Sequence, residues 1–238
     1  MSRKKTAAPI GQGELLDITA KLRTGPCVTA LREAIKAWKA GGYKGITDTT
    51  RILLNHWFYN DHRLQTGAAF RYHESQQDAI ETLILVWEYE KIRTRKGLLE
   101  RYAQDLRDLH LPPYDDFARY SIKMATGSGK TKVMALAVAW QFLNAMRESD
   151  KVAAEYAKTF LILAPNVIVF ERLKTDFSGG RIFQADPVIL KNYQFSGILT
   201  ASCVAKPKRH TRKARFSLQI SSSSTKDLIV RVKTSRTS

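Results

Sequence analysis

Between Ile122 and Trp140 the chain reads IKMATGSGKTKVMALAVAW, and its centre carries the residue types that phosphate chemistry needs. Phosphate oxygens are held by several backbone N–H groups converging on one point, where side chains would obstruct them. Gly127 and Gly129 stand where such bare backbone is required. Lys130 offers a point charge for the β- and γ-phosphates, and Thr131 a hydroxyl for a magnesium ion. Thr126 and Ser128 complete the turn. The strict Gly-x-x-x-x-Gly-Lys-Ser/Thr pattern is not met, because Met124 occupies its first place. A Gly-Ser-Gly-Lys-Thr run also serves as a plain strand-to-helix turn, so the flanking elements have to decide between the two.

Those flanks favour nucleotide binding. FARYSIKMAT (117–126) predicts a strand, TKVMALAVAWQFLNAMRE (131–148) a helix apolar nearly all round, and TFLILAP (159–165) a second short apolar strand. Strand, helix, strand, with both strands apolar on both faces, is the pattern of a parallel sheet covered by helices. NVIVFERLKTDF (166–177) predicts the next helix. Upstream, apolar residues recur at helical spacing from Glu14 to Lys39, broken by Gly25-Pro26, which suggests two helices stopped by AGGYKG. Thr47-Asp48-Thr49-Thr50 offers a cap for a third helix reaching Phe58. The longest helical pattern runs from His73 to Leu109, where two consecutive prolines end it.

The formal net charge of +17 points to a polyanionic partner. The charge is uneven: ten of the 39 Lys and Arg lie from Val204 onward against one of the 22 acids, leaving +8 for the rest. Cys27 and Cys203 are far apart, with no second Cys or spaced His pair nearby, which argues against a disulfide framework or a zinc site. The basic N-terminus lacks the apolar stretch of a secretory signal, and VMALAVAW is far too short to span a bilayer. A soluble cytoplasmic protein without membrane contact is expected.

MATGSGKT is similar to the ATP-binding motif of superfamily 2 helicases of the DEAD/DEAH-box type, particularly those of type III and type I restriction enzymes, in which Met-Ala-Thr replaces the first glycine. The resemblance spans about Phe70 to Asp186. It implies ATP and Mg2+ as cofactors, duplex DNA as partner, and a DNA methyltransferase or specificity subunit alongside. FRYHESQQDAIETL resembles the adenine-recognition segment, with Gln76 three residues before Ala79. A glutamine amide offers the donor and acceptor that an adenine edge requires, although a solvated glutamine at a helix start fits the same letters. LAPNVIVFERLKTDF resembles the segment that holds the DNA backbone, with Pro165, Asn166, Arg172 and Lys174 as phosphate contacts. Arg172 and Lys174 fit a solvated helix face equally well.

Turnover in such enzymes needs an acidic pair at a strand end and an arginine from a second lobe. No Asp-Glu dipeptide occurs in this sequence. Nor does a Pro-Asp followed by Glu-x-Lys, so DNA cleavage by these residues alone is not expected. The expected fold is α/β: a helical N-terminal region (1–69), the first part of a RecA-like P-loop lobe (70–195), and an unpacked basic tail (196–238). The tail reads best as an out-of-frame translation of a truncated helicase. Its alternative is a basic arm on a non-catalytic nucleic-acid-binding protein. A P-loop kinase or small-molecule phosphotransferase is a further class left open, and it would need its magnesium and acceptor residues elsewhere in the chain, where no convincing set stands out.

Overall fold

A computed structural model describes residues 27–103, 118, 120–158, 160–162, 164 and 167–190, and the backbone of 200–206 and 215–221. The helices are α1 (Val28–Ala40), α2 (Asp48–Tyr59), α3 (Glu74–Ile84), α4 (Arg95–Tyr102), α5 (Lys130–Arg147), α6 (Asp150–Ala153), α7 (Val167–Phe177) and α8 (Arg181–Ala185). A π turn follows α3 at Leu85–Tyr89, and a 3-10 turn at Ser178–Gly180 joins α7 to α8. The strands are β1 (His62–Arg63), β2 (Ala69–Phe70), β3 (Thr200–Lys206) and β4 (Arg215–Ser221), paired antiparallel as β1–β2 and β3–β4. The elements sort into two compact units interleaved along the chain, one from 1–44 and 82–121, the other from 45–81 and 122–238.

In the first unit, Cys27, Leu99 and Tyr102 form a small core against Ala30, Leu31, Ala34, Ile92 and Leu98. Burial raises the Cys27 thiol pKa, so the group stays protonated and behaves as a small apolar side chain. Trp38 packs edge-on against Tyr43, and its Nε1 donates to the Lys44 carbonyl at 2.9 Å, closing the turn after α1. The single helix expected from His73 to Leu109 is interrupted. After the π turn, Lys91 takes a left-handed φ of +55°, and Thr94 restarts the chain by accepting the Gly97 N–H at 3.0 Å. A threonine oxygen that captures an orphan amide starts a helix even inside a continuous apolar period. The part of the expected helix beyond Ala103, like the helix expected near 14–24, lies outside the described residues.

The second unit is built on α5, whose Leu136, Ala139, Trp140 and Leu143 are almost wholly buried. Thr47 caps α2 by accepting the Thr50 N–H at 3.1 Å. A buried polar cluster joins α2 to α5: Trp140 Nε1 and Asn144 Nδ2 both donate to Thr50 Oγ1, at 3.1 and 3.0 Å, and Thr47 Oγ1 donates to Asn144 Oδ1 at 2.6 Å. Trp57, 1% exposed, donates to the Val188 carbonyl at 2.8 Å and ties α2 to the segment after α8.

The parallel sheet does not appear among the described residues. Residues 120–125, 160–162 and 164 run without regular pairing, and Ile122 and Leu161 stand exposed. A parallel strand is held only by neighbours distant in sequence, so an apolar run cannot by itself secure a ladder. Within the tail expected not to pack, β3 and β4 form a hairpin whose register sets Ala201 opposite Ile220, Cys203 opposite Leu218 and Ala205 opposite Phe216. The alternation of RFSLQIS supplies the strand period that its basic surroundings obscure.

His56, on α2, gives this unit a pH dependence. Burial first, and then neighbouring His62, push its pKa down to about 4, against a smaller opposing effect of the Pro187 carbonyl. The unfolded chain takes up this proton near pH 6.5, whereas the folded chain resists until about pH 4. Stability is therefore level above pH 6.5 and falls as the pH drops towards 4. Urea titrations at pH 7 and pH 4.5 should show that loss, and His56→Gln should flatten it.

Candidate nucleotide-binding site

Gly129 precedes α5 with φ +81° and ψ +38°, and Gly127 takes φ +80°, so both glycines of the loop are in the left-handed region. Around Gly127 nothing lies within 4 Å of where a Cβ would sit. At Gly129 a Cβ would fall 2.2 Å from Gln76 Nε2, so this glycine is required by contact as well as by φ. The loop closes on one carbonyl. Ala125 O accepts from Ser128 Oγ at 2.7 Å, from Lys130 Nζ at 2.6 Å and from the Ser128 N–H at 3.4 Å.

Gln76 is buried at the start of α3 and docks on this loop. Its Nε2 donates to the Ser128 carbonyl at 2.9 Å, and its Oε1 accepts the His73 N–H at 3.1 Å. One N–H and one lone pair are left over. Gln76, Thr126, Gly127, Ser128, Gly129, Lys130 and Thr131, chosen from sequence, thus form one cluster in space. The solvated-glutamine alternative is not what the structure has, since Gln76 is 7% exposed.

Beside the cluster stands a group that sequence reasoning missed. Lys132, one residue past Thr131, pairs with Asp186 at 2.5 Å, and its ammonium lies 4.9 Å from the centre of the Phe70 ring. Phe70 in turn meets Tyr72 edge-on at 4.9 Å. Burial, and secondarily the Asp186 carboxylate, push the Tyr72 phenol well above its usual pKa, so it stays neutral. Its hydroxyl has no hydrogen-bond partner among the described residues. No local pattern links Lys132 to an acid 54 positions away.

Of the residues assigned to the DNA backbone, Pro165 and Asn166 lie outside the described residues. Arg172 is exposed on α7, whereas Lys174 pairs with Glu171 at 3.8 Å. Two positions on a helix are about 200° apart, so Arg172 and Lys174 do not share a face.

The loop fits a nucleotide phosphate. Among the described residues, no acceptor meets the backbone N–H groups of Gly127, Gly129, Lys130 or Thr131. The last two open an 18-residue helix whose dipole favours an anion at that end. No group of three or more His, Cys, Asp or Glu among the described residues is arranged to hold a metal by itself.

A lobe with a phosphate loop at the head of a buried helix, and a glutamine docked on that loop, has the form of a helicase-type ATP-binding site. Residues 69–229, about two thirds of the chain, match the family described as type III restriction enzyme, res subunit, and the chain belongs to that family. The matched region is a DEAD-like helicase domain, which implies a RecA-like fold and the use of ATP with magnesium. No curated protein and no solved structure matches the chain. No helix among the described residues is long and apolar enough to cross a membrane.

Proposed function

We propose that this chain is the ATP-binding part of a DNA helicase or translocase of a restriction–modification system, acting in the cytoplasm beside a methyltransferase or specificity subunit. The observation that carries the reading is the loop at the head of α5, with two left-handed glycines and open amides, and with Gln76 docked onto it. Lys130 exchanges the neutral Ala125 carbonyl for the charged β- and γ-phosphates, a stronger partner for an ammonium. The Thr131 hydroxyl takes the magnesium ion. Gln76 offers its remaining N–H and lone pair to the adenine edge while its bond to the Ser128 carbonyl holds the loop and its bond from the His73 N–H fixes the side chain at the start of α3. Bound magnesium ATP would supply the phosphoanhydride that family members with the acidic pair and a second lobe cleave to drive movement on DNA. Pro165, Asn166, Arg172 and Lys174 are proposed to hold the DNA backbone, the last two from different faces of α7.

Binding of a fluorescent ATP analogue, followed by anisotropy with magnesium present, tests the site. Lys130→Ala should take the affinity below detection, and an unchanged affinity would mean the site lies elsewhere. Phosphate release by this polypeptide should stay at background with or without DNA, because no Asp-Glu pair is available to orient the attacking water. DNA-stimulated release would show that other acids serve.

A further inference from the structure

Several polar groups beside the phosphate loop are only partly used. Asp186 gives one carboxylate oxygen, Oδ2, to Lys132, while its Oδ1 has no hydrogen-bond partner among the described residues. Gln76 keeps one N–H and one lone pair. The buried Tyr72 hydroxyl, which feels the Asp186 charge, also lacks a partner there. Buried polar groups in folded proteins are nearly always satisfied, so open valences gathered on one wall call for a ligand.

This wall, all of it within the second unit, starts at the loop. Lys132 Cδ lies 3.8 Å from the point where a Gly129 Cβ would sit, and Gln76 Nε2 lies 2.2 Å from the same point. From there the lysine chain carries its ammonium to 4.9 Å from the centre of the Phe70 ring and 2.5 Å from Asp186. The Asp186 carboxylate therefore stands about one lysine length from both the loop and the Gln76 amide.

Asp186 is held in place before any ligand arrives. Its carbonyl accepts the Val188 N–H at 2.8 Å, its N–H donates to the Ile182 carbonyl at 3.4 Å, and Trp57 anchors the Val188 carbonyl at 2.8 Å. Its side chain is 12% exposed. A group fixed in this way binds without the cost of being ordered.

The chemistry of the open groups indicates which part of a nucleotide they meet. A carboxylate only accepts hydrogen bonds, and it repels phosphates. A nucleotide offers it donors at two places, the amino group of the base and the hydroxyls of the ribose. Gln76 is assigned to the base edge, which leaves the hydroxyls. The ribose joins base to phosphates, and so passes between the Gln76 amide and the loop. Lys132 offsets the charge of the acid, so a triphosphate on the loop is not driven away.

We propose that Asp186, oriented by Lys132, accepts hydrogen bonds from the ribose hydroxyls of the bound nucleotide and selects ribonucleotides over nucleotides that lack them. The proposal rests on the nucleotide site proposed above and adds the sugar to what that site recognises. Asp186 is the contacting group, and Lys132 is a positioning residue.

Displacement of an ATP analogue labelled on its γ-phosphate gives the affinities of ATP and of 2′,3′-dideoxy-ATP, which differ only in the two hydroxyls. The unmodified chain should prefer ATP by about tenfold, the weight of a hydrogen bond to a charged group. Asp186→Ala, which removes the acceptor, should abolish the preference, and Asp186→Asn, which keeps an uncharged one, should fall between. Asp150→Asn, an exposed acid on α6 of the same unit, should leave it unchanged. Altered stability or local charge changes both affinities alike, so the ratio reports contact with the sugar. If thermal melts show Asp186→Ala to be unfolded, the ratio in Asp186→Asn decides. Equal affinity of the unmodified chain for the two nucleotides overturns the sugar contact and spares the nucleotide site. A preference that survives both Asp186 variants assigns the sugar to another residue and overturns the proposal. Failure of the unmodified chain to bind ATP overturns the site and the proposal together.

Discussion

Gly129→Ala should lower affinity for an ATP analogue by at least tenfold and destabilise the second unit, whereas Gly127→Ala should do clearly less. Both glycines have φ near +80°, so each substitution carries the cost of a left-handed alanine, about 1–2 kcal/mol. They differ in surroundings. The new methyl at 127 meets nothing within 4 Å, but the one at 129 would lie 2.2 Å from Gln76 Nε2. Gln76 cannot step aside cheaply, because moving it breaks its bonds to Ser128 and His73 together. A Gly129→Ala, Gln76→Ala double variant should recover part of the lost stability and none of the lost affinity. A cycle of the two single variants and the double therefore isolates the contact. Equal effects at 127 and 129 in urea unfolding would show that the glutamine does not shape the loop.

Asn144→Leu should be the most damaging near-isosteric change in the second unit, lowering stability by about 2–4 kcal/mol. Asn144 is fully buried on the helix that begins at the phosphate loop. Its amide donates to Thr50 Oγ1 and to the Trp140 carbonyl, and its Oδ1 accepts from Thr47. Leucine fills the space but answers none of these groups, and burying polar atoms stripped of partners costs more than the bonds themselves contribute. For a protein of this size the melting temperature should fall by roughly 10 °C. Thr50→Val should cost a comparable amount, since Trp140 Nε1 and Asn144 Nδ2 share that hydroxyl as acceptor. The two losses should be far from additive, because both variants break one cluster. A fully additive pair would mean the cluster does not act as a unit.

Much of the site was legible in the one-dimensional pattern because its requirements are local. Gly127 to Thr131 are contiguous, and a phosphate loop needs bare backbone, a cation and a hydroxyl at fixed offsets along one turn. The helices starting at Asp48, Lys130 and Val167 were legible for a similar reason: caps and apolar periods act within a few residues. The interruption at Glu90–Thr94 was not, since the apolar period continues through it while Thr94 and the left-handed Lys91 break the backbone. The hairpin at 200–221 was missed because charge drew attention away from its alternation.

Sequence by itself determined the glycine-rich loop ahead of α5, the order of the main helices and the family resemblance that the match over residues 69–229 bears out. Tertiary structure alone decided that Gln76 reaches Ser128, 52 positions away, that Lys132 finds Asp186, and that Thr50 and Asn144 meet in a buried cluster. It also decided that the apolar runs on either side of α5 lie without ladder partners among the described residues. The division follows from range. Propensity, capping and glycine conformation act over a few bonds and leave a mark at fixed spacing. Docking, ion pairing and parallel strand pairing join distant residues at no set interval, so only the folded chain reveals which partners meet.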